Sequence, residues 1–159
     1  MKALTFFLIS FFCLNLFACS RNDYSLPNPT TETNPTDTTN TSTAMKLKVT
    51  INNTIFTATL QDNATAKALK ELLPLTLNMT EFNNNEKYAE LPNSLPTNAT
   101  NPGTIQNGDL MLYGNNVLVL FYKTFPTSYS YTKIGKIDSS EALQNALGTG
   151  NATVKFELE

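Results

Sequence analysis

Asp109-Leu110-Met111-Leu112-Tyr113-Gly114-Asn115-Asn116-Val117-Leu118-Val119-Leu120-Phe121-Tyr122 is the stretch on which the fold turns. Two apolar runs of strand length flank Gly114-Asn115-Asn116, residues that tolerate the backbone of a tight reversal, so the stretch predicts a β-hairpin. The first run opens on Asp109, but Val117 to Tyr122 is apolar on both faces. A strand with one wet face alternates apolar and polar residues. One without that alternation is expected to be covered on both sides.

Toward the N-terminus, Lys46-Leu47-Lys48-Val49-Thr50-Ile51 alternates strictly, predicting a strand with Leu47, Val49 and Ile51 inward and the lysines outward. Asn52-Asn53 turns the chain, and Phe56, Ala58 and Leu60 continue the alternation on a second strand. Asp62-Asn63-Ala64-Thr65 offers N-caps for a helix over Lys67 to Leu73, whose Ala68, Leu69, Leu72 and Leu73 share one face before Pro74 stops it. Leu75, Leu77 and Met79 predict a third strand, fading into Glu81-Phe82-Asn83-Asn84-Asn85-Glu86. A short strand near Tyr88 to Leu91 precedes a long ordered loop reaching Gly108.

On the C-terminal side, Phe125-Pro126-Thr127-Ser128-Tyr129-Ser130-Tyr131 reads as an aromatic loop leading to a strand around Thr132 to Ile137. Asp138-Ser139-Ser140-Glu141 resembles a capping box headed by Asp, opening a helix with Ala142, Leu143, Ala146 and Leu147 on one face. Gly148 suits its C-terminal cap, and Thr153 to Leu158 makes a last strand. The expected fold is mainly β: about eight short strands, mostly antiparallel, closing into a β-barrel with two short helices over its ends.

Composition removes more functions than any motif supports. Histidine and tryptophan are absent, and the only arginine is Arg21. From Met45 onward nine Lys stand against ten Asp plus Glu, so no basic field exists to hold nucleic acid. Without His or a thiol in the body, the triads and dyads of acyl transfer and the imidazole or thiolate zinc sites lack their members. Glu81 to Glu86 has oxygen ligands at alternating spacing, faintly like a calcium loop, but Glu86 stands where that loop needs Gly. A solvated loop is the better reading. Glu86 and Glu90 offer a carboxylate pair by spacing alone. No catalytic residue, cofactor or metal is expected.

The N-terminus carries a different signal. Met1-Lys2 followed by a largely apolar Ala3 to Phe17 has the layout of a secretory signal, too short for the ~20 apolar residues that span a bilayer. Leu16-Phe17-Ala18-Cys19 resembles the lipobox of bacterial lipoproteins, with Phe17 at a tolerant position. That resemblance implies a signal peptide over 1–18, lipidation of Cys19 after cleavage, and a protein anchored by acyl chains to a membrane of the bacterial cell envelope, outside the cytoplasm. The other cysteine, Cys13, falls within the signal. Residues 19–44 then form the lipidated cysteine and a tether: Ser20 to Ala44 holds eight Thr, four Asn and three Pro and is read as disordered. As a flexible chain its 25 residues have a root-mean-square span of roughly 25–30 Å.

The body, 45–159, resembles a known family through Leu73-Pro74-Leu75-Thr76-Leu77, Glu86-Lys87-Tyr88, Gly108 to Gly114, Val119-Leu120-Phe121-Tyr122 and Thr127-Ser128-Tyr129-Ser130-Tyr131-Thr132. In wording and order these resemble the bacterial cyclophilin-like domains. The resemblance implies a closed cyclophilin-like β-barrel related in shape to peptidyl-prolyl isomerases. Their activity does not follow with it. Cyclophilins set an arginine beside the prolyl nitrogen, within a Phe-His-Arg signature, and this body has no Arg, His or Trp; Lys lacks the planar fork that would replace it.

The candidate ligand-binding residues are aromatic: Tyr88, Tyr113, Tyr122, Phe125, Tyr129 and Tyr131, rigid rings expected near a barrel mouth. Each has a plainer role as core or rim. The expected function is a membrane-tethered, non-catalytic module binding a peptide or small molecule, with no nucleic-acid partner. A degenerate prolyl isomerase and a structural domain without ligand are the alternatives.

Overall fold

The computed structural model describes residues 44–159. The expected signal peptide, the expected lipidation at Cys19 and the expected tether up to residue 43 lie outside the described residues. In chain order the elements are β1 (Lys46–Ile51), β2 (Thr54–Leu60), α1 (Ala64–Lys70), β3 (Leu75–Phe82), β4 (Glu86–Glu90), β5 (Thr104–Ile105), β6 (Asp109–Tyr113), β7 (Val117–Phe121), β8 (Phe125–Pro126), β9 (Thr132–Ile137), α2 (Leu143–Leu147) and β10 (Ala152–Leu158). Eight strands close a barrel in the order β1-β10-β3-β4-β7-β6-β9-β2, every pair antiparallel. The short strands β5 and β8 pair separately, outside the barrel order.

Closure gives each strand an inner and an outer face, and the period of two in the sequence sorts residues between them. Leu47, Val49 and Ile51 of β1, Leu77 and Met79 of β3, Leu110 and Leu112 of β6, Leu118 and Leu120 of β7, and Val154 and Phe156 of β10 fill the interior. α1 contributes Ala66 and Leu69, and α2 contributes Leu143 and Leu147, to the same core. α1 follows the C-terminal end of β2 and α2 that of the antiparallel β9, so the two helices sit over opposite ends of the barrel.

Both helices depart from their expected bounds. α1 begins three residues early because Asn63 Oδ1 accepts the Ala66 N–H at 2.8 Å, making Asn63 the cap. It ends at Lys70 in tightened turns in which the Leu72 and Leu73 N–H groups donate to Leu69 and Lys70 carbonyls. The capping box at Asp138 does not form. α2 starts at Leu143 behind Ala142, with no side-chain cap. Asp138 instead accepts from Lys46 Nζ at 2.7 Å and from the Thr59 hydroxyl, a charge-assisted contact that outcompetes a neutral backbone donor. Gly148, with φ +64°, does cap α2.

The segment weighed as a calcium loop is the reversal of a hairpin. Phe82 pairs with Glu86, and Asn83 and Asn84 take φ of +53° and +60°, the left-handed region that Asn tolerates. β4 therefore starts at Glu86, two residues before the expected strand.

The expectation that Val117 to Tyr122 is covered on both sides is met by two cores. Leu118 and Leu120 point into the barrel. Val119 and Phe121 point out of it, with Met111, and form a second buried cluster with Ile105 and Tyr131. The cover is a strap made of the β5–β8 ribbon and the segment through Tyr131, which exchanges backbone hydrogen bonds of 3.0 Å with Thr100. Burying a side chain such as Phe121, fully enclosed here, is worth about 1.5–3 kcal/mol, so the strap is integral to the fold.

Candidate functional site: an aromatic cup on the outer wall

Where the strap stops, the outer face of β4, β6 and β7 is left open as a cavity of about 610 Å³. Its floor is Tyr88, Val117 and Val119; Tyr113 and Phe82 stand on its rim; Phe125 to Tyr131 of the strap form the far wall. Five of the six predicted rings, Tyr88, Tyr113, Phe125, Tyr129 and Tyr131, line this one cavity. It lies on the wall of the barrel, not at its mouth.

The rings hold one another edge to face. Phe82 meets Tyr88 at 5.9 Å and 90° and Tyr113 meets Tyr129 at 6.3 Å and 84°, whereas Tyr113 meets Tyr131 at 5.7 Å with the rings tilted at 51°. Phe121 anchors the set from beneath, 5.4 Å from Tyr131 and 5.8 Å from Phe125. Their exposure divides them. Tyr131 is 7% exposed and belongs to the outer core, whereas Tyr113 and Tyr129 are 46% and 61% exposed and stand free.

The sixth ring, Tyr122, faces the barrel interior. Its hydroxyl donates to the Glu81 carboxylate, with both oxygens at 2.9 Å, and its ring lies 5.3 Å beneath the Lys87 ammonium. Lys87 is wholly buried, and its Nζ donates to Glu81 and to the carbonyls of Gly148 and Gly150. Burial raises the Glu81 carboxyl, but hydrogen bonds from Lys87 and Tyr122, the Lys87 charge and the Asn84 amide outweigh it and hold the group below the ordinary range. Burial, with Glu81 as acceptor and the charges of Glu81 and Glu86, raises the Tyr122 phenol. The Tyr122 group thus seals the α2 end of the barrel, on the other side of the sheet from the cup.

Sequence reading did not place the acid of the cup, Glu86, beside the rings. Glu86 lines the cavity, alternating with the inward Lys87 and sharing a face with Tyr88. Burial, then the negative charge of Glu81, pushes its carboxyl up to about 7. Glu86 also helps hold the Tyr131 phenol up, to about 12, although burial is the larger cause. Period two from Tyr88 back to Glu86 was the available signal, hidden by starting the strand too late. Glu90 is exposed and four strand residues away, ~13 Å along β4, so the two carboxylates do not pair. Among the described residues no group of three or more His, Cys, Asp or Glu could hold a metal ion.

A family model described as the cyclophilin-like family matches residues 49–157. This chain belongs to the cyclophilin-like family. The barrel closed by eight strands is the fold of this cyclophilin-like protein, and a solved structure matches it: the solution structure of the hypothetical protein AF2241 from Archaeoglobus fulgidus. The two are 17% identical with a TM-score of 0.50, over 73% of this chain and 95% of that one, a likeness of fold alone. No curated protein matches the cyclophilin-like chain.

Proposed function

We propose that this protein is a membrane-tethered binding module that takes a peptide or small ligand in the aromatic cup and carries out no chemistry on it. The observation behind this reading is the cavity of about 610 Å³, within the ~300–1,000 Å³ usual for ligand sites, walled by rings packed on a rigid barrel. Tyr113 and Tyr129 have a specific bearing on it. Both are large, exposed and edge-on to each other, an arrangement that buries little surface in the free protein and would bury more against a guest.

The tether comes from Leu16-Phe17-Ala18-Cys19 and the Thr-rich segment behind it. Lipid on Cys19 would place the cup outside the cytoplasm, attached to the membrane through the segment that follows the cysteine. Prolyl isomerisation has no observation in its favour, since no arginine lies among the described residues.

Thermal shift of the protein against a panel of metabolites and peptides tests the cup, with Tyr113→Ala and Tyr129→Ala as controls. Both rings are outside the buried cores, so these variants should melt near wild type while losing ligand-induced stabilisation. Absence of any shift across the panel would leave a structural domain without ligand as the better account. Membrane fractionation tests the tether: Cys19→Ala should become soluble, and its retention in the membrane would refute lipid anchoring.

A further inference from the structure

The lining of the cup has one sign of charge. Beside its rings it presents the Glu86 carboxylate among the neutral Asn83, Asn85, Thr127 and Ser128, and no lysine or arginine. Glu86 takes part in no salt bridge among the described residues. Lys87 does not neutralise it, because the Lys87 ammonium lies on the opposite face of β4 and is spent on Glu81 and two carbonyls. The titratable groups whose charges couple to Glu86 are Glu81 and Tyr122, through the sheet, and Tyr131 of the strap, none of them a cation.

A carboxylate without a cation, in a wall of aromatic faces, specifies a guest. A ring face is the negative part of the quadrupole and attracts a cation within about 6 Å of its centroid. We propose that the cup binds small organic ammonium ions, with their apolar body among Tyr88, Tyr113 and Tyr129 and their N–H groups directed to the Glu86 carboxylate. This inference rests on the cup being a ligand site and adds the charge of what it takes. A neutral guest without donors leaves the carboxylate unpaired once water is displaced. An anionic guest meets Glu86 with no counter-charge. Because Glu86 sheds its proton only near pH 7, the preference for ammonium grows as pH rises through that value.

Isothermal titration calorimetry with benzylammonium, benzyl alcohol and benzoate, one ring bearing three charges, tests the assignment on the full chain. At pH 8 benzylammonium should bind about tenfold or more tightly than benzyl alcohol, and benzoate more weakly than either. The preference should shrink at pH 6 in the wild type and vanish in Glu86→Gln. Equal affinity for ammonium and alcohol, or tighter binding of benzoate, overturns the charge assignment while leaving the cup as an apolar site. Failure of all three probes to bind overturns both readings.

Discussion

Lys87 is a charge placed where charges are costly. It is wholly buried, yet each of its three donors has an acceptor: the Glu81 carboxylate and the carbonyls of Gly148 and Gly150. Removing one member of such a pair costs more than replacing both, because the remaining groups stay desolvated. Lys87→Met should therefore lower stability by about 3 kcal/mol, the low end for a broken buried pair because Glu81 keeps a route to water. Urea unfolding measures this, and adding Glu81→Leu should recover part of the loss; a single variant as stable as wild type would show that the ammonium is not holding the barrel end. Nothing local marks Lys87 as buried. It sits between Glu86 and Tyr88 as an ordinary alternating residue, and its carbonyl partners lie 61 and 63 residues away.

Among the elements, β9 carries the one break in an otherwise regular pattern. Its residues Ile134 and Gly135 are both buried, and the register against β6 shifts between Leu110, opposite Gly135, and Met111, opposite Lys133. Ile134 is the extra residue of a β-bulge, which bends the strand and lets its side chain stay in the core. Gly135 then lies against β2, where an added Cβ would stand 2.6 Å from the Thr59 carbonyl oxygen. Gly135→Ala should cost about 1–3 kcal/mol by forcing β2 and β9 apart, read as a shift in urea midpoint with the slope unchanged. An unchanged midpoint would mean that the barrel wall yields more easily than its packing implies. The turn between β3 and β4 makes a milder demand. Asn84, at φ +60°, accepts a backbone that β-branched residues resist, so Asn84→Val should destabilise by about 1–2 kcal/mol and Asn84→Gly should not.

Across the whole molecule, two carboxylates pull pH dependence in opposite directions. Glu81 is held below the ordinary range in the folded state, so its contribution is present above that range and is lost as pH falls through the folded value. Glu86 is raised to about 7, so the folded state keeps its proton, and stability declines as pH climbs from the ordinary carboxylate value toward 7. Melting temperature should accordingly peak near pH 5 and fall toward both pH 3 and pH 7.5. Glu86→Gln should flatten the upper arm only, and Glu81→Gln should shrink the lower arm, to which Asp138 also contributes, from a lower starting stability. A wild-type profile that rises steadily from pH 5 to pH 8 would contradict the burial of Glu86.

Hydrophobic patterning determined much of this protein: the eight barrel strands and the two-sided cover of β7 follow from it, whereas the short β5 and β8 fell in stretches that read as loops. Composition alone removed histidine, thiolate and guanidinium chemistry from the body. What patterning leaves open is which face a strand that is apolar on both sides, such as β7, will turn inward, and there tertiary structure decided. Tyr122 and the other five rings read alike in the chain, but Tyr122 follows Phe121 by one residue, and one step along a strand reverses the face. The same parity sent Lys87 into the barrel and left Glu86 in the cup. Asp138 illustrates the remaining limit: its local sequence favoured a cap, and a lysine 92 residues away claimed it, because a charge brought close by folding outweighs a neighbour in sequence.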